Sequence, residues 1–208
     1  MKRSAIIFDL DGTLTKPRLD FDAIRAEIGL PPGPILESLA HLDARARTRA
    51  DAILARHERE AAEAAVLYEG AVEVVAKCRR LGRATAVMTR NTRATVDSLI
   101  ARFGFTFDAI RTREDGAIKP SAEPVLSICA ELRADPAASW VVGDFLFDIM
   151  SGQAAGTRTV LMVGDAPLPE FAPRADHVIR ALGELLPLIE EARPRSDGAG
   201  LNEATVGQ

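Results

Sequence analysis

The chain is poor in the features that mark several large protein classes. Only two of its 208 residues are cysteine, Cys78 and Cys129. They lack metal-type spacing and each falls in a helical pattern, which excludes a disulfide-stapled fold and a zinc module. Buried free thiols in a reducing cytoplasm are the expected reading. No stretch approaches the roughly 18 uninterrupted apolar residues of a membrane span. The apolar run that follows Met1-Lys2-Arg3 breaks at Asp9, too short for a signal peptide. The chain is therefore expected to be soluble and cytoplasmic, with no membrane partner. An excess of positive charge is also missing: 26 Lys and Arg stand against 30 Asp and Glu, a formal net charge of −4. That balance argues against a general nucleic-acid binder. His41, His57 and His177 all lie away from the strand ends, so no Ser–His–acid arrangement is in view. No G-x-G-x-x-G opens a helix, which disfavours a dinucleotide. There is no internal repeat.

What is present is a globular composition, 47% apolar and 27% charged. A chain of this length can bury roughly 70% of its unfolded surface. Ala5 to Phe8 is an apolar run that reads as a buried strand. Lys16 to Asp20 reads as a linker. Phe21, Ile24 and Ile28 recur at helical spacing until Gly29 and Pro31 stop them. Ile35, Leu36, Leu39 and Leu42 predict a second short helix. Asp43 to about Ala65 predicts a long one, with a thin apolar stripe that includes Ile53 and Leu54. No strand pattern occurs from about Thr15 to Leu67, so residues 15–67 are expected to form a small helical insert after the first strand.

From Gly70 the texture becomes strand–helix alternation. The spacing predicts helices over 71–81, 92–103, 122–132 (with Ser121 as its cap), 147–155 and 182–192. Strands are predicted over 84–88, 107–111, 140–143, 159–163 and, at an edge, 177–179. Such alternation implies a parallel sheet covered by helices on both faces. Residues 1–14 and 68–193 would form that α/β core. Beyond Pro194 periodicity ends, and 194–208 is expected to be a disordered tail.

The strand ends carry the chemistry. Asp9 and Asp11 follow the first strand, and alternation turns both to one side. Two close carboxylates with no adjacent base call for a cation, most simply a hard metal ion. An Asp-Gly turn alone would look the same. The second strand runs into Thr89-Arg90-Asn91, where a hydroxyl and the amides of a helix start can hold an anion. Capping by Asn91 or Thr92 is the plainer alternative. Lys119 precedes a helix and alone reads as a surface lysine. Trp140 to Gly143 ends in Asp144, with Asp148 four residues later; Asp148 could equally be a first-turn helix charge. Together these residues suit Mg2+ and a phosphate.

At this point the sequence resembles the haloacid dehalogenase-like (HAD) phosphohydrolase superfamily. D-L-D-G-T-L-T is similar to its first motif, Thr89 to its second, Lys119 to its third and G-D-F-L-F-D to its fourth. The helical insert resembles the family's C1 cap, as in phosphoglycolate phosphatase-like members. The resemblance implies a Rossmann-like three-layer α/β core with a mostly parallel sheet. It implies Asp9 as nucleophile through an aspartyl-phosphate, and Asp11 as general acid and then base. Mg2+ would be held by the Asp9 carboxylate, the Asp11 backbone carbonyl and the Asp144 carboxylate, with Asp148 supporting that shell. Thr89, Arg90, Asn91 and Lys119 would bind substrate. Phe145 and Arg90-Asn91 depart from the smaller residues frequent in relatives.

The expected activity is Mg2+-dependent hydrolysis of a small phosphorylated metabolite, phosphoglycolate-like or a sugar phosphate, by a monomer or homodimer. The alternatives are a β-phosphoglucomutase-like phosphotransferase and a non-catalytic interaction protein that keeps the fold. Lys16, Arg18, Arg25 and the Arg45/Arg47/Arg49 cluster are candidates for choosing the substrate.

Overall fold

Four consecutive residues, Ala5–Phe8 (β1), are fully buried and sit at the centre of the molecule. A computed structural model describes residues 3–191 and shows why. Strand β1 lies between β2 (Ala84–Met88) and β4 (Trp140–Gly143), pairing parallel to both. With β3 (Ala109–Arg111), β5 (Arg158–Met162) and β6 (His177–Ile179), the six strands run in the order β3-β2-β1-β4-β5-β6. All five pairings are parallel. This is a Rossmann-like α/β sheet.

Alternation along β1 divides the core between the two faces of the sheet. Ile6 and Phe8 join a cluster with Val74, Val75, Val96 and Leu99, carried by α4 (Ala71–Arg80) and α5 (Arg93–Phe103). Ala5 and Ile7 join another with Val125, Ile128 and Leu132 of α6 (Glu123–Leu132). Helix α7 (Leu146–Ala154) packs on β4 and β5, and α8 (Leu185–Glu191) closes against α4. Cys78 and Cys129 are buried free thiols, one under each face.

Between β1 and α4 the chain makes three helices, α1 (Phe21–Ile28), α2 (Ile35–Leu39) and α3 (Ala44–Glu63). They have a hydrophobic cluster of their own, Ile24, Ile35, Leu39, Ala50 and Leu54. The two ends of this insert run side by side: the Lys16 amide donates to the Val66 carbonyl (2.8 Å) and the Tyr68 amide to the Leu14 carbonyl (3.0 Å). Three arginines tie it to the core. Arg90 pairs with Glu37 at 2.6 Å, Arg113 pairs with buried Glu58, and Arg102 donates to the carbonyls of Ala62 and Glu63 at 2.8 Å.

Some boundaries differ from the sequence reading, each for a local reason. Leu42 falls outside α2, because Asp43 opens α3 by accepting from the Ala46 amide. The N-cap of α6 is Ala122 rather than Ser121; the Ser121 hydroxyl supports the first turn from one position outside, accepting from the Glu123 amide at 3.2 Å. The closing segment breaks into a 3-10 turn, Leu182–Glu184, before α8, whose first turn accommodates Pro187. Strand β3 starts at Ala109 rather than Phe107, which stacks with Phe105 instead. No helix among the described residues is long and apolar enough to cross a membrane. The tail expected over 194–208 lies outside the described residues.

Candidate active site

The strand order determines where the polar residues meet. From β1 the chain extends to one side through β2 and β3, then returns to the other through β4. Ligands of open α/β sheets sit outside the carboxyl ends of the strands at such a reversal. Here β1 delivers Asp9 and Asp11, β2 delivers Thr89 and Asn91, and β4 delivers Asp144, with Asp148 in the first turn of α7. Lys119 comes from the loop between β3 and α6.

Lys119 Nζ is the hub of this edge. It donates to Asp9 Oδ1 and to Asp148 Oδ1, both at 2.6 Å, and all three residues are buried. The Asp9 amide donates to the Val142 carbonyl at 2.8 Å, which fixes Asp9 to β4 as well as β1. Asp148 Oδ2 accepts from the Phe145 amide at 3.1 Å. Asp9, Asp144 and Asp148 each offer an oxygen, and these atoms lie within 4.8 Å of one another. Two glycines make that approach possible. A Cβ on Gly12, whose φ is +87°, would stand 2.1 Å from an Asp144 carboxylate oxygen, and one on Gly143 would stand 2.1 Å from the Asp148 carboxyl carbon.

The charges are unbalanced. Burial raises the pKa of Asp9, Lys119 pulls it back, and Asp11 adds to the rise. Burial, then the charges of Asp9 and Asp148, hold Asp144 well above the ordinary carboxylate value. Burial pushes Asp148 up to about 6 against the pull of Lys119. Burial works against the Lys119 charge, but Asp148 and Asp9 outweigh it and hold its pKa above the usual value. Three carboxylates against one ammonium leave a surplus of negative charge with hard oxygen donors, and this donor set fits a hard divalent cation.

Beside this cluster, Asn91 Nδ2 donates to Asp11 Oδ2 at 3.0 Å. Burial raises the Asp11 pKa and the Asn91 bond opposes that rise. The Thr89 hydroxyl accepts from the Asn91 amide at 3.1 Å. Thr92, not Asn91, caps α5, accepting from the Thr95 amide at 3.3 Å. Asp9, Asp11, Thr89, Arg90, Asn91, Lys119, Asp144 and Asp148 all line one cavity of about 550 Å3 between the sheet edge and the helical insert.

The other candidates are placed differently. The Arg90 guanidinium lies 4.9 Å from the centre of the Phe147 ring as well as on Glu37. Arg25 lines the cavity and pairs with Asp22 while donating to the Gly33 carbonyl at 3.2 Å. Lys16 and Arg18 are exposed and do not line it, nor does the Arg45/Arg47/Arg49 cluster, where Arg47 pairs with Asp51 at 2.8 Å. His57 pairs with Glu27 and His177 stacks on Trp140. Sequence reasoning missed Glu58, a buried carboxylate in the cavity wall. Its signal was an acid one turn beyond Leu54 on the stripe of α3. It also passed over Phe21, Phe145 and Phe147 as lining residues.

A family model described as haloacid dehalogenase-like hydrolase matches residues 15–162. The match begins just past Asp9 and Asp11, so the geometry above, not that match, brings them into the site. The chain is 32% identical to an uncharacterized hydrolase of Saccharomyces cerevisiae, over 92% of this chain and 93% of that one. It is 29% identical to N-acetylmuramic acid 6-phosphate phosphatase of Pseudomonas aeruginosa, over 92% and 97%. Among solved structures, a hydrolase from Pseudomonas syringae superposes with a TM-score of 0.77 at 18% identity, covering 92% of this chain and 100% of the other.

Proposed function

This chain belongs to the haloacid dehalogenase-like hydrolase family, and on that premise we propose that it is a Mg2+-dependent phosphatase of small phosphomonoesters working through an aspartyl-phosphate. The observation that carries the reading is Lys119, held 2.6 Å from both Asp9 and Asp148 beside Asp144. That arrangement keeps a carboxylate next to an ammonium at the floor of a cavity, where a dianionic phosphate must be met by positive charge. A relative of similar length is named for hydrolysing a sugar phosphate, which agrees with the class.

In the proposed reaction a carboxylate oxygen of Asp9 attacks phosphorus, and the bond from phosphorus to the ester oxygen breaks. Asp11 gives its proton to the departing alkoxide. Its raised pKa, from burial, suits the acid role. Asn91 holds one Asp11 oxygen, which orients the carboxyl for transfer. Asp11 then takes a proton from a water that attacks phosphorus, releasing inorganic phosphate and regenerating Asp9. Lys119 offsets the charge of Asp9 and, with the Thr89 hydroxyl, faces the phosphoryl oxygens. Mg2+ would be held by the Asp9 and Asp144 carboxylates and the Asp11 backbone carbonyl, and it would neutralise phosphoryl charge. Asp148 positions Lys119 and supports that set. Residues 15–67 act as the cap over a core of residues 3–14 and 68–191. The two buried free thiols suit a reducing compartment.

The test is release of p-nitrophenol from p-nitrophenyl phosphate by the full chain, with Mg2+, with EDTA, and for Asp9→Asn. Turnover with Mg2+ alone is expected. Equal turnover in all three samples would overturn the reading.

A further inference from the structure

The cavity has two unlike ends. Its floor is polar, formed by Asp9, Asp11, Thr89 and Lys119, whereas farther out it is walled by Leu19, Phe21, Ile35 and Leu36 of the insert and by Phe145 and Phe147 after β4. Phe21 is 53% exposed and Phe145 51%, so two aromatic residues that line the cavity remain half uncovered. Its size, about 550 Å3, falls within the roughly 300–1,000 Å3 of cavities that take drug-sized ligands.

The cations at the cavity are already matched. Lys119 is held by Asp9 and Asp148, Arg25 by Asp22 and the Gly33 carbonyl, and Arg90 by Glu37. Glu58 brings a further carboxylate, which Arg113 already engages through both of its oxygens. A second acid on a substrate would have to displace one of these pairs to find a cation. An apolar body would instead cover ring surface that water now contacts, which is the favourable exchange.

We propose that the outer half of the cavity is a subsite for an uncharged, predominantly apolar leaving group. The preferred substrate is then a phosphomonoester of a hydrophobic alcohol rather than a small phosphate that carries a second acid. This inference rests on the phosphatase reading and narrows it.

Ethyl, butyl and hexyl phosphate differ little in leaving-group chemistry, so a change in kcat/KM along the series reports contact with the walls. With the full chain and Mg2+, kcat/KM from phosphate release is expected to rise at least tenfold from ethyl to hexyl phosphate. Hexyl phosphate is expected to exceed phosphoglycolate by at least tenfold. The double variant Phe21→Ser, Phe145→Ala changes only half-exposed rings. It is expected to cut the hexyl-to-ethyl ratio at least threefold. A flat or falling series, phosphoglycolate as the better substrate, or an unchanged ratio in the variant overturns the subsite and leaves the phosphatase reading standing. Absence of phosphate release from every ester, p-nitrophenyl phosphate included, overturns both.

Discussion

At the strand ends, charged groups are buried against one another on rigid backbone: Lys119, Asp9 and Asp148 form one hydrogen-bonded unit, and two glycines bring Asp144 and Asp148 close. In the helical insert, charge stays mainly outside, as in Arg47–Asp51 and Arg56–Glu60, and the contacts to the core are made by side chains reaching across. The two regions are built for different tasks. A reacting carboxylate must be held to fractions of an ångström, which a strand terminus does well. A surface that selects leaving groups needs to vary and to admit substrate, which suits a separate helical layer with its own small core.

Changes on the strand-end side should have the largest effects on turnover and little on selectivity. Asp9→Asn is expected to abolish phosphate release. Asp11→Asn should lower kcat by about 10²–10⁴, the share typical of a general acid–base group. Circular dichroism should show both variants folded. A variant that keeps its activity would break the assignment of chemistry to this edge.

The contact that most resembles the core is Arg113–Glu58, since Glu58 is buried. Removing one partner of a buried pair leaves an uncompensated charge, so Glu58→Gln should cost about 3 kcal/mol in urea unfolding. Gly143→Ala tests the tight backbone at the other end. Its Cβ would lie 2.1 Å from the Asp148 carboxyl carbon, and such overpacking costs about 1–3 kcal/mol. Gly143→Ala should also impair turnover, whereas Glu58→Gln should act more on KM.

The smallest effect belongs to Glu37→Ala. Glu37 pairs with Arg90 near the surface, and such pairs contribute about 0.2–1 kcal/mol. Thiol chemistry can separate the regions here, because both cysteines lie in the core. Burial holds the Cys78 thiol up at about 12, from an ordinary 9.0. The folded protein therefore keeps this proton through the window from about 9 to 12, where the unfolded chain releases it. Stability should fall as pH rises across that window. At pH 8, alkylation of Cys78 should report opening of the core only. Glu37→Ala should raise KM for hexyl phosphate and leave the alkylation rate unchanged; faster alkylation would show that insert and core open together.

Much of this division could be read in the sequence, and the parts that could not have a common physical origin. Strands β1, β2, β4 and β6 were read at their observed bounds, because apolar runs ended by charged or turn residues are local signals. Asp9, Asp11, Thr89 and Asp144 were likewise local signals at strand ends, whereas Lys119 alone reads as a surface lysine and joins them only because the fold brings the loop after β3 to the same edge. Glu58 and Arg113 are separated by 55 residues, and Glu37 and Arg90 by 53. Periodicity carries no information about such partners. Arg90 illustrates this: the family resemblance offers it as a substrate contact, while Glu37 and Phe147 jointly hold it. The cavity walls were hidden for the same reason, since Phe21 and Ile35 are apolar positions of ordinary amphipathic helices until the insert is set over the sheet.

The claim on which everything else depends is that Asp9 bonds to phosphorus. Enzyme in excess over p-nitrophenyl phosphate, quenched during turnover and treated with borohydride, should reduce an acyl phosphate at that carboxyl alone. Peptide mass spectrometry should then find the reduced side chain at position 9, and Asp9→Asn should show none. Reduction at another carboxyl, or turnover without a trappable acyl phosphate, would contradict the account.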